Sequence, residues 1–124
     1  MNAEDPSHRI LLVDDDAPFR ERLALSLARR GFETRTSGDV GNALAEADKF
    51  RPNAILVDLR IGTESGLALV PALRRILPQA RIVMLTGYGS IASAMEAVRH
   101  GASDYLTKPA DIDEMFSAKP LMMK

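Results

Sequence analysis

Acidic residues and one lysine stand directly after apolar runs in this chain. Asp14, Asp15 and Asp16 follow Ile10-Leu11-Leu12-Val13, Asp58 follows Ile55-Leu56-Val57, and Lys108 follows Tyr105-Leu106-Thr107 and precedes Pro109. Short aliphatic runs bounded by polar residues have the pattern of buried strands. If those strands lie parallel in one sheet, their carboxyl ends share an edge, and the acids and the ammonium meet in one crevice. Carboxylates packed together repel unless a cation neutralises them. For an all-oxygen donor set the simplest cation is Mg²⁺. The chemistry these residues suit is metal-dependent handling of a phosphoryl group.

The elements that must position them can be read along the chain. A strand runs from Ile10 to Val13. Phe19, Leu23 and Leu27 form a helical stripe with Pro18 in its first turn and Gly31 as its left-handed cap. Glu33 to Thr36 is a strand of modest apolarity, suited to a sheet edge. Val40, Leu44 and Ala47 mark a second helix that stops before Arg51-Pro52. Ala54 to Val57 is the third strand, followed by a loop from Arg60 to Ser65. Leu67, Val70, Leu73, Ile76 and Leu77 give a third helix, with Pro71 inside it expected to remove a hydrogen bond and bend it, and Pro78 closing it. Ile82 to Leu85 is the fourth strand, and Gly87 and Gly89 loosen the next loop. Ile91, Ala94, Met95 and Val98 mark a fourth helix capped by Gly101. Tyr105 to Thr107 is the fifth strand, and Asp111 with Glu114 resembles a capping box opening a fifth helix that Pro120 must stop.

Alternating strands and helices with short loops predict an α/β fold, a flavodoxin-like (βα)5 doubly wound parallel sheet with strand order 2-1-3-4-5 and a shortened helix five. Ligands of such folds bind at the carboxyl ends of the strands, near the first and third. The bulk properties agree with a single soluble domain: 124 residues, 46% hydrophobic and 27% charged, with formal net charge −1. That balance gives no sign of nucleic-acid or membrane binding by this segment. There are no cysteines, so disulfides, thiolate metal sites and cysteine redox sensing are excluded. The polar start MNAEDPSHR has no apolar signal core, and the expected location is the cytoplasm.

Taken together, Val13-Asp14-Asp15-Asp16, Val57-Asp58-Leu59, Leu85-Thr86-Gly87 and Asp104-Tyr105-Leu106-Thr107-Lys108-Pro109, each at a strand end, resemble the receiver domain of two-component response regulators. The wording VDLRI, LTGYGSIASA and GASDYLTKPAD is most like the RegA/PrrA/ActR class of redox-responding regulators. The resemblance implies a signalling domain rather than a metabolic enzyme, one with Mg²⁺-dependent self-phosphorylation and autodephosphorylation. Asp58 would be the phosphoacceptor, fed by a histidine kinase. Asp14, Asp15, Asp58 and the backbone oxygen of Arg60 would hold Mg²⁺, with Mn²⁺ able to substitute. Thr86 and Lys108 would contact the phosphoryl group, and the backbone N–H groups of Leu59, Arg60 and Gly87 would cradle it. Thr86 and Tyr105 would form the switch, and Lys108-Pro109 would be a cis peptide. The implied organisation is a flexible lead over residues 1–8, a receiver domain over 9–119, a disordered tail over 120–124, and a DNA-binding effector domain absent from this chain. A homodimer or domain-swapped dimer would follow from the short fifth helix, and no membrane partner is implied.

Taken singly, these residues have plainer readings. The acidic triplet suits a helix N-terminus, Asp58 an ordinary turn, Lys108 a solvated surface, and Tyr105 packing against helix four. Asp16 is read as local and exposed, with no part in the metal site, and His8 and His100 receive no ligand role. Two departures from the commonest receiver pattern matter: Gly62 stands where a proline often follows the phosphoacceptor, which predicts a more mobile loop, and a fifth helix starting near Ile112 must stop by Pro120, which predicts a helix shorter than usual. Two other functions fit less well. A haloacid-dehalogenase-type phosphohydrolase needs a D-x-D-x-T/V ending, and Ala17-Pro18 follows here. A flavodoxin-like FMN binder needs an uncharged phosphate loop, where this chain has three aspartates.

Overall fold

The computed structural model describes residues 9–86, 91–99 and 101–107. In chain order the elements are β1 (Arg9–Val13), α1 (Ala17–Arg29), β2 (Glu33–Ser37), α2 (Val40–Phe50), β3 (Ala54–Asp58), a short hairpin of β4 (Arg60–Ile61) and β5 (Glu64–Ser65), a 3-10 turn (Gly66–Ala68), α3 (Leu69–Ile76), β6 (Arg81–Thr86), α4 (Ile91–Arg99) and β7 (Asp104–Thr107). The main sheet runs β2-β1-β3-β6-β7 with every pair parallel. Among its five strands this is the expected 2-1-3-4-5 order, with β2 at an edge.

The sheet forms where it does because its central strands are apolar on both faces. Leu11, Val13, Ile55, Val57, Ile82 and Met84 pack with Ala43 and Ala47 of α2 and Leu69, Val70 and Leu73 of α3. Ile10, Leu12, Leu56, Val83 and Leu85 pack on the other face with Phe19, Leu23 and Leu27 of α1 and with Phe32. A strand covered on both faces has no reason to alternate, hence the continuous aliphatic runs. Truncating a fully buried residue such as Ile55 to alanine costs about 2–5 kcal/mol in such a core.

Local chemistry sets the helix ends. The Asp16 carboxylate accepts the Phe19 N–H at 3.1 Å and starts α1, with proline in the first turn. Asp39 does the same for α2 through the Asn42 N–H at 2.7 Å. Helix α2 ends on Arg51, which takes the left-handed conformation (φ 53°) more usual for glycine at helix ends. The Arg51 carbonyl is held by Arg9 through Nε at 3.2 Å and Nη2 at 2.8 Å.

Two expectations are corrected. Residues 60–65 are not a plain loop: Arg60 pairs with Ser65 and Ile61 with Glu64 in an antiparallel hairpin. Pro71 does not interrupt a helix, because a 3-10 turn precedes α3 and Leu69 is its first residue. Pro71 thus falls in the first turn, where the N–H it lacks would have had no intrahelical partner. Helix α4 lies beside β6 and β7, with Met95 and Val98 47% and 37% exposed.

Arg74 of α3 links distant parts of the fold. Its guanidinium donates to the carbonyls of Pro78 (3.0 Å), Ala80 (2.6 Å) and Gly101 (2.7 Å). It thereby fixes the approach to β6 and the turn between α4 and β7. No described helix is long and apolar enough to cross a membrane. The expected fifth helix and tail, Pro109 and the histidines at 8 and 100 lie outside the described residues.

Candidate functional site

Parallel pairing brings the strand ends to one edge. Val13 of β1 is in register with Val57 of β3, so Asp14 emerges next to Asp58. Asp58 is in register with Leu85, and Thr86 with Thr107. The Thr86 backbone is therefore one residue beyond the partner of Asp58 on the neighbouring strand. Lys108 follows Thr107 directly in sequence, but it and Gly87 lie outside the described residues.

The three acids differ in setting. Asp14 is 1% exposed, its N–H donates to Ser37 O at 3.0 Å, and its carboxylate accepts the Asp16 N–H at 2.9 Å. Arg20 of α1 reaches back to donate to the Asp14 carbonyl at 2.6 Å. Asp15 is exposed, and its Oδ2 accepts the Gly62 N–H at 2.7 Å. Asp58 is half-buried at the end of β3, with the Arg60 N–H 3.5 Å from its Oδ1. Each of the three offers a carboxylate oxygen, and these oxygens lie within 4.8 Å of one another. Asp16 does not join them; it is exposed and caps α1, as its sequence position suggested.

This donor set fits a hard divalent cation. Opposite ligands of an octahedral Mg²⁺ stand about 4.2 Å apart, twice the ~2.1 Å bond length. The observed upper limit of 4.8 Å needs only a small closure or one bridging water. Larger Ca²⁺ bonds of ~2.3–2.6 Å span it directly. The Gly62 N–H and the Arg60 N–H add partial positive charge at the rim.

One expected contact is not available as predicted. The Leu59 N–H donates to Leu85 O at 2.9 Å, continuing the β3–β6 ladder one residue past Asp58. A donor committed to the sheet does not face a phosphoryl group, so Leu59 leaves the cradle. Its side chain packs on the core instead. Tyr105 is half-buried against the core face that carries α2 and α3, in register with Met84.

Of four supporting residues, three carry no sequence signal strong enough to single them out, and Gly62 is marked in the sequence only as a departure loosening its loop, not as a donor. Gly62 supplies the N–H that meets Asp15. At Gly66 an added Cβ would collide with the Asp58 carbonyl oxygen and stand 3.1 Å from both the Asp58 carbonyl carbon and Val57 Cγ1. Only glycine lets the chain pass that close behind the acid. Arg20 and Ser37 act through backbone carbonyls and N–H groups brought near by the fold, which no local pattern announces.

Comparisons with known proteins agree with this architecture. Residues 10–119 match the response regulator receiver domain family. The photosynthetic apparatus regulatory protein RegA of Rhodovulum sulfidophilum is 47% identical over 115 residues, covering 93% of this chain and 62% of RegA. The acid tolerance regulatory protein ActR of Sinorhizobium medicae is 42% identical over 113 residues, 91% of this chain and 58% of ActR. The chain thus spans about three fifths of the length of these relatives. A crystal structure of a Burkholderia pseudomallei response regulator with a phosphorylated aspartic acid, a calcium ion and citrate superposes with TM-score 0.83 at 42% identity, covering 89% of this chain and 65% of that one. A parallel sheet in 2-1-3-4-5 order, acids gathered at the carboxyl ends of its first and third strands, and a match across nearly the whole chain lead to one conclusion: this chain belongs to the response regulator receiver domains, with RegA and ActR among its close relatives.

Proposed function

We propose that the chain is a phosphorylation-driven switch in which Asp58 accepts a phosphoryl group from a histidine kinase. The observation that carries this reading is the convergence of Asp14, Asp15 and Asp58 at the site where β1 and β3 end. The Burkholderia neighbour holds a phosphorylated aspartic acid and a calcium ion, and the donor set here suits an acyl phosphate beside a hard cation. Asp14, Asp15, Asp58 and the Arg60 carbonyl would hold Mg²⁺, or Mn²⁺ in its place. When bound, the ion neutralises the clustered acids and draws charge off the phosphoryl oxygens.

The residues then divide the work. A carboxylate oxygen of Asp58 attacks phosphorus while the donor imidazole leaves, giving a mixed anhydride. The half-buried setting of Asp58 leaves its outer face open to the donor. The Arg60 N–H, with Gly87, stabilises charge on the transferred oxygens, Lys108 contacts them as a point charge, and Thr86 donates its hydroxyl. Water later attacks the same phosphorus and restores Asp58. Movement of Thr86 toward the phosphoryl group biases Tyr105, whose ring sits at the edge of the α2–α3 core face. Inverting a 1:99 equilibrium takes about 5.5 kcal/mol of differential binding. Two charge-assisted bonds at ~1.5–3 kcal/mol each approach that value. The output is a changed protein surface that controls a transcriptional effector domain, through which DNA is contacted in the cytoplasm. The receiver occupies residues 9–119.

The test is incubation with acetyl phosphate with Mg²⁺ and with excess chelator, for the native chain and Asp58→Asn. One phosphoryl adduct on the native chain, dependent on Mg²⁺ and missing from Asp58→Asn, is expected. Equal labelling of the variant would refute the assignment.

A further inference from the structure

The hairpin after Asp58 does more than connect β3 to α3. Ile61 and Glu64 are paired, so Gly62 and Thr63 form a two-residue turn. Gly62 has φ 62°, and among the described residues Arg51 is the one non-glycine with positive φ, so Thr63 is ordinary. Positive φ at the first turn position alone is the type II′ pattern, which favours glycine there. A Cβ at Gly62 would meet nothing within 4 Å. The demand at this position therefore comes from the backbone and not from crowding.

That backbone is aimed at the site. The Gly62 N–H reaches Asp15 Oδ2 at 2.7 Å, across 47 positions of sequence. The distance is that of a charge-assisted hydrogen bond. Both ends of the hairpin are anchored. Ile61 is 2% exposed in the core, and Gly66 donates to Leu59 O at 2.7 Å. Asp14 is already immobilised by burial and by the Asp16 N–H. Asp15 is exposed, and among the described residues the hydrogen bond its carboxylate makes is the one to the hairpin, which therefore orients it.

We infer that Gly62 is a positioning residue that orders the Asp15 carboxylate before a divalent cation arrives. This rests on reading Asp14, Asp15 and Asp58 as a cation site. Ordering an exposed side chain beforehand removes that cost from the binding step. A proline at 62, the residue often found there in this family, has no N–H and fixes φ near −65°. It forfeits both the hydrogen bond and the turn.

The experiment is calorimetric Mg²⁺ titration, with Mn²⁺ binding by electron paramagnetic resonance as a second probe, on the unphosphorylated chain and on Gly62→Pro and Gly62→Asn. Outer contacts that orient metal ligands change affinity by ~10–100-fold; for an exposed ligand the low end applies. Gly62→Pro should weaken binding about tenfold. Gly62→Asn keeps the N–H and places there a residue type that, with glycine and aspartate, is found in primed turns, and should bind within about twofold of the native chain. Amide exchange at residue 62, measured without metal, should accelerate severalfold in Asp15→Ala. Equal affinity of Gly62→Pro and the native chain would overturn the inference. So would a loss in Gly62→Asn as large as that in Gly62→Pro, or unchanged exchange at residue 62 in Asp15→Ala. No cation binding by the native chain would overturn the reading of the site itself, and this inference with it.

Discussion

Replacing Asp15 with asparagine should make the metal-free protein more stable and the Mg²⁺-loaded protein relatively less so. The three carboxylate oxygens lie within 4.8 Å. At that separation two unit charges repel by about 0.9 kcal/mol in bulk water and about 3.5 kcal/mol at an effective dielectric of ~20. Asp15 is exposed, so the lower figure governs, and a Debye length of ~10 Å at 0.1 M salt screens it only in part. Asp14 and Asp15 are sequence neighbours and repel in the unfolded chain too, so that term largely cancels. The Asp15–Asp58 term exists only in the fold. The amide introduced by Asp15→Asn would keep an oxygen for the Gly62 N–H, with weaker charge assistance. The net expectation is a gain of about 0.5–1 kcal/mol for Asp15→Asn without metal, or roughly 2–5 °C in melting temperature. With an assumed Kd of ~1 mM, about 10 mM Mg²⁺ stabilises the native chain by about 1.4 kcal/mol through mass action. The variant, short one ligand, should gain little, and the order of stability should reverse. Urea denaturation with and without Mg²⁺ measures both differences. A variant less stable than the native chain without metal, with the same Mg²⁺ response, would refute the charge argument.

Other substitutions test the supports of the site. Gly66→Ala forces a Cβ into the Asp58 carbonyl, and urea denaturation should show a loss of about 2 kcal/mol or more. Arg74→Met keeps the aliphatic stem but removes donors to three carbonyls, and should cost about 2–3 kcal/mol, with amide exchange faster around residues 80 and 101. Asp16→Ala removes the α1 cap and should lower stability by about 1 kcal/mol. Because Asp16 takes no part in the carboxylate cluster, the Mg²⁺ response of that variant should match the native one.

Much of this was legible in the sequence because the signals were local. Continuous aliphatic runs marked strands buried on both faces, and the acids of the cluster stand within two residues of the end of one. The Phe19, Leu23 and Leu27 stripe, the Gly31 cap and the edge character of β2 followed from spacing and composition. What escaped depends on approach in space. Strands β4 and β5 are two residues each, too short to show a period of two. The closeness of Gly66 to Asp58, and the carbonyls that Arg20 and Arg74 reach, are products of the assembled fold. The N–H of Leu59 was expected at the phosphoryl group, because a sequence does not show that the ladder to β6 runs one residue further.

The central claim is that Asp58 carries the phosphoryl group. An aspartyl phosphate is a mixed anhydride, and borohydride reduces it to homoserine. The chain should be treated with acetyl phosphate and Mg²⁺, reduced, digested and sequenced by mass spectrometry. Homoserine at position 58, with Asp14, Asp15 and Asp16 intact, is the predicted result. Homoserine at one of those three positions, or none anywhere after a confirmed adduct, would contradict the account.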